Sequence, residues 1–231
     1  MKRVAVFIDG SNFYNGLRDN VGRMDVDFHR FGNKMAELAG GDLLRIYYYN
    51  AKVDPEFDPD NYEKQQRFIT HLAHTSHLTL RLGKLVYYQV RGDESMARKH
   101  YAVEKGLDVK LAIDLVRLAV NRACEVAVIV SGDKDLADLI EFSKEMGIVV
   151  CSAFFPRGLS ESLATRADKV FYFDEVLLKD IFISPEDERV VVERVEEEPE
   201  PEPEPEVEPE PEFEPEAELE VEPEAETPYT E

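Results

Sequence analysis

The sequence predicts an α/β domain built on a parallel sheet, followed by an extended acidic tail. Short all-apolar runs recur, Val4 to Ile8 and Val126 to Val130 above all, too short for helices and suited to strands buried on both faces of a parallel sheet. Stretches with apolar residues at helical spacing alternate with them, and that alternation implies right-handed crossovers. Past Pro185 the composition changes abruptly, with nine prolines between residues 199 and 228, mostly in a Glu-Pro rhythm.

Each element has its own local reason. Val4 to Ile8 ends in Asp9, and Ser11 or Asn12 is placed to cap the helix that Phe13, Tyr14 and Leu17 begin. Asp27 to Ala39 reads as a helix with Phe28, Phe31, Met35 and Leu38 on one side, stopped by Gly40-Gly41. Leu43 to Tyr49 is a strand, Asp54 to Asp60 a loop with two prolines, and Tyr62 to Ser76 a helix. His71 and His74, three apart on that helix with His77 just after, could share a metal, but nothing nearby supplies a third clear ligand, so a solvated face is the better reading. Leu78 to Val90 is strand-like, and Asp108 to Arg122 is a helix. In that helix Val109, Leu111, Ala112, Leu115, Val116, Leu118 and Ala119 make a broad apolar face, while Lys110, Asp114, Arg117 and Asn121 form a polar stripe.

After Val126 to Val130, Ser131-Gly132 breaks the strand, and Leu136, Leu139 and Ile140 return to helical spacing. Gly147 stops that helix and Ile148 to Ala153 is the next strand. Pro156-Arg157-Gly158 is a loop, and Ser160 is placed to cap a short helix reaching Ala167. Lys169 to Phe173 is the last strand, and Asp174 opens a terminal helix through Leu177, Leu178 and Ile181.

The formal charge of -22 over 231 residues is concentrated at one end. From Ser184 onward there are 22 acidic residues against 2 arginines, which leaves 27 acids and 25 bases in residues 1–183. The expected organisation is a near-neutral domain over 1–183 and a disordered, self-repelling tail over 184–231. The acidity of the whole chain is therefore no argument against a nucleic-acid partner. Two readings of the tail stand: a solubilising extension, or a mimic of nucleic-acid charge that contacts a basic surface. Cys124 and Cys151 belong to no zinc or CxxC pattern and fit a reducing, cytoplasmic setting. The first apolar run is cut after five residues by Asp9, so neither a signal peptide nor a membrane span is expected there, and no later stretch is long enough.

Asp9 and Asp133 both sit where a buried strand ends in a small-residue turn. Asp133 and Asp135 taken alone are as well explained by helix capping. Two such strand ends in one chain favour chemistry instead, because the carboxyl edge of an open α/β sheet is where ligands bind. If Asp9, Asp114 or Asp108, Asp133 and Asp135 meet there, their repulsion calls for cations. An oxygen-only donor set suits Mg2+ or Mn2+ and the hydrolysis of a phosphodiester. Asn12 and Ser131 are placed to orient water or phosphate, and Lys105 or Lys134 to offset substrate charge. Between Arg81 and Lys110 bases including Arg98 and Lys99 are interleaved with Tyr87, Tyr88 and Tyr101, a composition suited to single-stranded nucleic acid. An aspartyl phosphatase is disfavoured because Ser11 stands two positions after Asp9. No dinucleotide, nucleoside-triphosphate or serine-hydrolase motif occurs.

The stretches VFIDGSNFYNGL, EKGLDVKLAIDLVRLA, AVIVSGDKDLADLIEFSKEMGIVV and ADKVFYFDE resemble the NYN domain. This is the PIN-like nuclease family that includes LabA-like bacterial proteins, and the resemblance runs over roughly residues 3–180. It implies a three-layer α/β/α PIN-like sandwich with a central, mostly parallel sheet, an acidic pocket and metal-dependent RNA cleavage. By the same resemblance Asp9 and Asn12 match the acid and asparagine after the first strand. Asp108 and Asp114 match the pair in K-G-x-D-x-x-L-A-x-D, and Asp133 and Asp135 match S-G-D-x-D. Leu136 departs from the Phe common in relatives, which touches packing only.

The expected function is thus a metal-dependent endoribonuclease acting on single-stranded RNA through Asp9, Asn12, Asp108, Asp114, Asp133 and Asp135. Helical phase selects Asp114 over Asp108 as the third metal ligand beside Asp9 and Asp133. Ser11, Ser131, Lys105, Lys134, Arg98 and Lys99 are the expected substrate contacts, RNA the expected partner, and a homodimer is left open. The alternative is a catalytically weak RNA- or protein-binding regulatory module of the same fold.

Overall fold

Strand β1 (Lys2–Asp9) lies at the centre of the sheet, and its residues Val4 to Ile8 are completely buried, as an all-apolar run demands. The structure is a computed structural model that describes residues 1–89, 100–156 and 161–184. Around β1 stand β2 (Gly41–Lys52), β3 (Leu78–Gln89), β4 (His100–Lys105), β5 (Val126–Val130), β6 (Val149–Phe154) and β7 (Lys169–Tyr172). They form one seven-stranded sheet in the order β4-β3-β2-β1-β5-β6-β7. All neighbours are parallel except β3 and β4. The chain winds outward from β1 to β2 and β3 on one side, and to β5, β6 and β7 on the other. The crevice between the carboxyl ends of β1 and β5 is therefore the switch point where such sheets bind ligands.

Alternation along β1 divides the core into two layers. Val4, Val6 and Ile8 pack on one side with residues of α1 (Gly10–Asn20), α2 (Phe28–Ala39), α3 (Pro59–Ala73) and, near the end of the chain, α7 (Glu175–Leu178). Ala5 and Phe7 pack on the other with residues of α4 (Leu107–Val120), α5 (Ala137–Glu145) and α6 (Glu161–Arg166). The architecture is the three-layer α/β/α sandwich with a mostly parallel sheet. Phe13 fixes α1 to its layer, with ring centroids 4.9 Å from Phe31 and 5.9 Å from Phe173. Those contacts hold the first turn of α1 against the end of β1.

Several boundaries follow from capping. Asp27, Asp58 and Asp174 each accept a backbone N–H three residues on, and Gly40 ends α2 in the left-handed conformation at φ 83°. At α1 the cap is Asp9, not Ser11 or Asn12, because the carboxylate already lies over the first turn. β2 extends past the expected Tyr49 to Lys52. α4 turns differently from the sequence reading: Val109 is 61% exposed while Asp114 is buried. His71, His74 and His77 are exposed, and Cys124 and Cys151 are buried free thiols whose pKa burial pushes up to about 11. Among the described residues no helix is long and apolar enough to cross a membrane. The expectations for Val90, the 157–160 loop and cap, and the tail from residue 185 onward lie outside the described residues.

Candidate active site

Ile8 and Val130 are register partners, so β1 and β5 end side by side and release Asp9 and Ser131 next to each other. Hydrogen bonds then close the two loops into a clasp. Asp9 Oδ1 accepts the Asn12 N–H at 3.0 Å, and Asp9 Oδ2 accepts the Ser131 hydroxyl at 3.0 Å. The Ser131 Oγ in turn accepts the Asp133 N–H at 3.1 Å. Asn12 Oδ1 accepts the Gly132 N–H at 3.0 Å, a bond from the first loop back to the second. Asp133 Oδ1 accepts the Asp135 N–H at 3.0 Å and caps the single 3-10 turn Lys134–Leu136. Capping and convergence are thus both true of Asp9 and Asp133. Gly10 is required by the same crowding, since a Cβ there would stand 2.5 Å from the Tyr49 carbonyl oxygen.

The clasp forms one wall of a cleft of about 410 Å³. Its lining includes the carboxylates Asp9, Glu104, Asp108 and Asp133, the polar groups of Ser11, Asn12, Asn15 and Tyr49, and apolar Val103, Leu107 and Leu111. Among the described residues no Lys, Arg or His belongs to that lining. The electrostatic consequence is visible in the acids themselves. Burial holds the Asp9 carboxyl above its ordinary pKa, partly offset by the Asn12 and Ser131 hydrogen bonds, with Glu104 and Asp133 adding repulsion. Burial likewise raises Asp108, and the charges of Asp133, Asp9 and Asp135 push it further. These carboxylates repel one another, and among the described residues no basic counter-charge lies on the cleft wall.

Asp114, the expected third metal ligand, does not line the cleft. Gly106, left-handed at φ 77°, turns the chain from β4 into α4, so the first turn of that helix, with Asp108, faces the cleft. Asp114 lies about 9 Å further along the axis and on another side of the helix. It is 5% exposed and fully engaged. The Arg81 guanidinium donates to both its oxygens at 2.7 and 3.0 Å, the Tyr49 hydroxyl donates at 3.1 Å, and Arg117 donates at 3.4 Å. A carboxylate so bound ties α4 to β2 and β3.

The other expected residues divide. Asp9, Ser11, Asn12, Asp108 and Asp133 come together at the cleft. Ser131 stands behind it, 1% exposed, as the link between Asp9 and Asp133. Asp135 and Lys134 are exposed and outside the lining, as is Lys105, although Asp135 is close enough to act on Asp108 through its charge. Arg98 and Lys99 lie outside the described residues. Glu104 was missed: it enters from β4 and accepts a hydrogen bond from the Ser11 hydroxyl. Tyr49, which lines the cleft and also holds Asp114, was missed as well.

The donor set fits a hard divalent cation, being all oxygen, acidic and, among the described residues, without a competing base. Among the described residues no three His, Cys, Asp or Glu side chains close on a common point. That spacing agrees with an ion that takes one or two carboxylates and keeps several waters, as Mg2+ usually does.

The fold is similar to that of a protein of unknown function from Vibrio parahaemolyticus. The two are 22% identical, covering 75% of this chain and 94% of that one, with a TM-score of 0.53. The tetrameric inhibited form of phosphofructokinase-2 from Escherichia coli is a more remote likeness, with 13% identity over 84% of this chain and 70% of that one and a TM-score of 0.40. A search of the curated proteins returns no match. The family model of the NYN domain matches residues 3–178, most of the chain. With that match over the sheet and both helical layers, the chain belongs to the NYN domain family.

Proposed function

We propose that this chain is a divalent-metal-dependent ribonuclease, cutting single-stranded RNA endonucleolytically at the cleft between β1, β4, β5 and α4. The observation that carries the reading is the gathering of Asp9, Glu104, Asp108 and Asp133, from four separate elements or loops, around a cleft whose lining holds no base among the described residues. A fold gains nothing from such repulsion unless a cation and a phosphate use it. Membership of the NYN family, whose resemblance implies a PIN-like nuclease, supports the same reading.

Asp9 and Asp133 would hold Mg2+ or Mn2+, with Glu104 beside them and Asp108 also on the cleft wall. Bound there, the ion supplies positive charge to the phosphate and lowers the pKa of a water. Asp9 is held in one orientation by Asn12 and Ser131, so its carboxylate needs little rearrangement. Asn12 spends its Oδ1 on Gly132, which leaves Nδ2 to donate to a phosphate oxygen. Asp108 binds a proton more readily than an ordinary carboxylate, and no side-chain hydrogen bond with a described residue occupies it. It accepts the proton of the attacking water at a carboxylate oxygen as that water's oxygen bonds to phosphorus, and returns it to the departing oxygen as the P–O bond breaks. The buried, unpaired cysteines suit a reducing compartment, and the cytoplasm is the location we propose.

The test is incubation of labelled single-stranded RNA with Mn2+ or Mg2+, with and without chelator, beside Asp108→Asn and Asp133→Asn. Cleavage is expected to vanish with chelator and to fall about 100-fold or more in either variant. Cleavage that Asp133→Asn retains in full overturns the mechanism. RNA binding with no cleavage under any divalent ion favours a binding module instead.

A further inference from the structure

The sheet carries a second charged feature that the clasp does not use. Lys52 closes β2, Lys84 lies in β3 and Lys105 closes β4. Lys52 is the register partner of Lys84, and Lys84 is the register partner of Lys105. Register partners point to the same face of a sheet, so the three lysines form a row across three adjacent strands. All three are exposed, and none has a carboxylate partner among the described residues.

Folding does not explain this row. Like charges directly opposite on neighbouring strands are destabilising. A lysine on an edge strand guards against edge-to-edge pairing, which accounts for Lys105 on β4. β2 and β3 are interior strands, so that reason fails for Lys52 and Lys84. The row also has a place relative to the cleft. It ends on β4, whose Glu104 lines the cleft, and by alternation Lys105 points to the opposite face from Glu104, so the row runs along the far face of the strand that borders the cleft. Ammonium groups on long stems act as point charges without a fixed geometric demand. The ligand that matches a line of such charges is a chain of phosphodiesters.

We propose that Lys52, Lys84 and Lys105 form a phosphate track that holds a single-stranded nucleic acid on the face of β2, β3 and β4 away from Glu104. That the same strand is the substrate of the cleft rests on the ribonuclease reading, whereas the binding itself does not. The track takes the strand by its backbone, independent of base sequence, and each lysine displaces counterions from one phosphate.

The experiment measures fluorescence anisotropy of the full chain with a labelled oligouridylate, in chelator so that the strand stays intact. Salt is varied between about 50 and 200 mM, and the slope of log K against log salt is read. Each phosphate neutralised on a single strand contributes about -0.7 to that slope, so K52A/K84A/K105A is expected to be shallower by about 2. Lys→Arg at the three positions should keep the slope, and Lys179→Ala, at an exposed lysine on α7's far end, should leave it unchanged. Thermal melts confirm that the triple variant is folded. An unchanged slope in the triple variant, or no binding by the parent chain at low salt, overturns the track. Binding of polyglutamate in place of the oligonucleotide overturns it too, in favour of an acidic protein partner. Cleavage by the parent chain with an unchanged slope in the triple variant removes the track and leaves the nuclease reading standing. A slope shallower by about 2 with no cleavage under any divalent ion does the reverse.

Discussion

Two aspartates on α4 live in opposite surroundings. Asp114 is buried, and every oxygen it has is spoken for by Arg81, Arg117 and Tyr49. Asp108, less than two turns earlier, is exposed to a cleft, and the charges that push its pKa up are those of Asp133, Asp9 and Asp135. The first is what a carboxylate looks like when it holds a fold together: desolvated, paired and fully hydrogen-bonded. The second is what it looks like when its partner is to come from outside. Sequence motif alone makes the two equivalent, and their partners separate them.

The largest effect expected on stability comes from cutting the saturated one. Asp114→Ala leaves Arg81 and the Tyr49 hydroxyl without their acceptor, a cost of about 3 kcal/mol, near the lower end for a buried pair because Arg81 reaches water. Thermal denaturation should show a Tm about 6 to 12 °C lower, whereas Asp108→Asn should melt no lower than the parent chain. Equal melting of Asp114→Ala and the parent would erase the contrast. The converse probe is a cation. Mn2+ at about 100 times its Kd should stabilise the parent by about 2.7 kcal/mol. A chelator should reverse that gain, and the Asp108→Asn, Asp133→Asn double variant should lack it; an equal Tm rise in the double variant would place the ion elsewhere.

Tyr49 joins the two regions, since its ring lines the cleft and its hydroxyl serves Asp114. Tyr49→Phe removes only the hydroxyl and should cost about 1 kcal/mol in urea denaturation. RNA cleavage should change far less than in Asp108→Asn; a loss as deep as that variant's would give the hydroxyl a role in the cleft. The smallest effect concerns pH. Burial and neighbouring acids raise the Asp108 carboxyl, so the folded state holds its proton more tightly than the unfolded chain does. Its contribution to stability is present below the ordinary value of about 3.9 and is lost as pH rises through the folded value. Asp108→Asn carries no such loss. It should therefore melt above the parent at pH 7 and converge with it below about pH 4. A gap that persists in acid would trace the gain to something other than charge.

The parts of this molecule legible in the sequence are those governed by neighbours a few residues away. Val4 to Ile8 and Val126 to Val130 announce buried strands by composition alone. Two such strands ending in Asp placed Asp9 and Asp133 at one edge before any coordinates. The parts that were not legible depend on distant partners. Asp114 falls in a polar stripe with Lys110 and Arg117, and helical phase makes it the expected metal ligand. The residue that buries it is Arg81, 33 positions away on β3. β4 escaped notice because HYAVEK lies in a basic stretch and carries no long apolar run. Glu104 was lost with it, since only the antiparallel pairing with β3 brings it to the cleft.

That antiparallel return has a consequence for what the protein can become. The chain leaves the sheet from β3 and re-enters beside it on β4, at the sheet's outer border. A border strand paired antiparallel to its neighbour can be lengthened, shortened or exchanged without re-threading a single parallel strand. Because Glu104 rides on that strand, such an exchange remakes one wall of the cleft while β1 and α4 keep theirs.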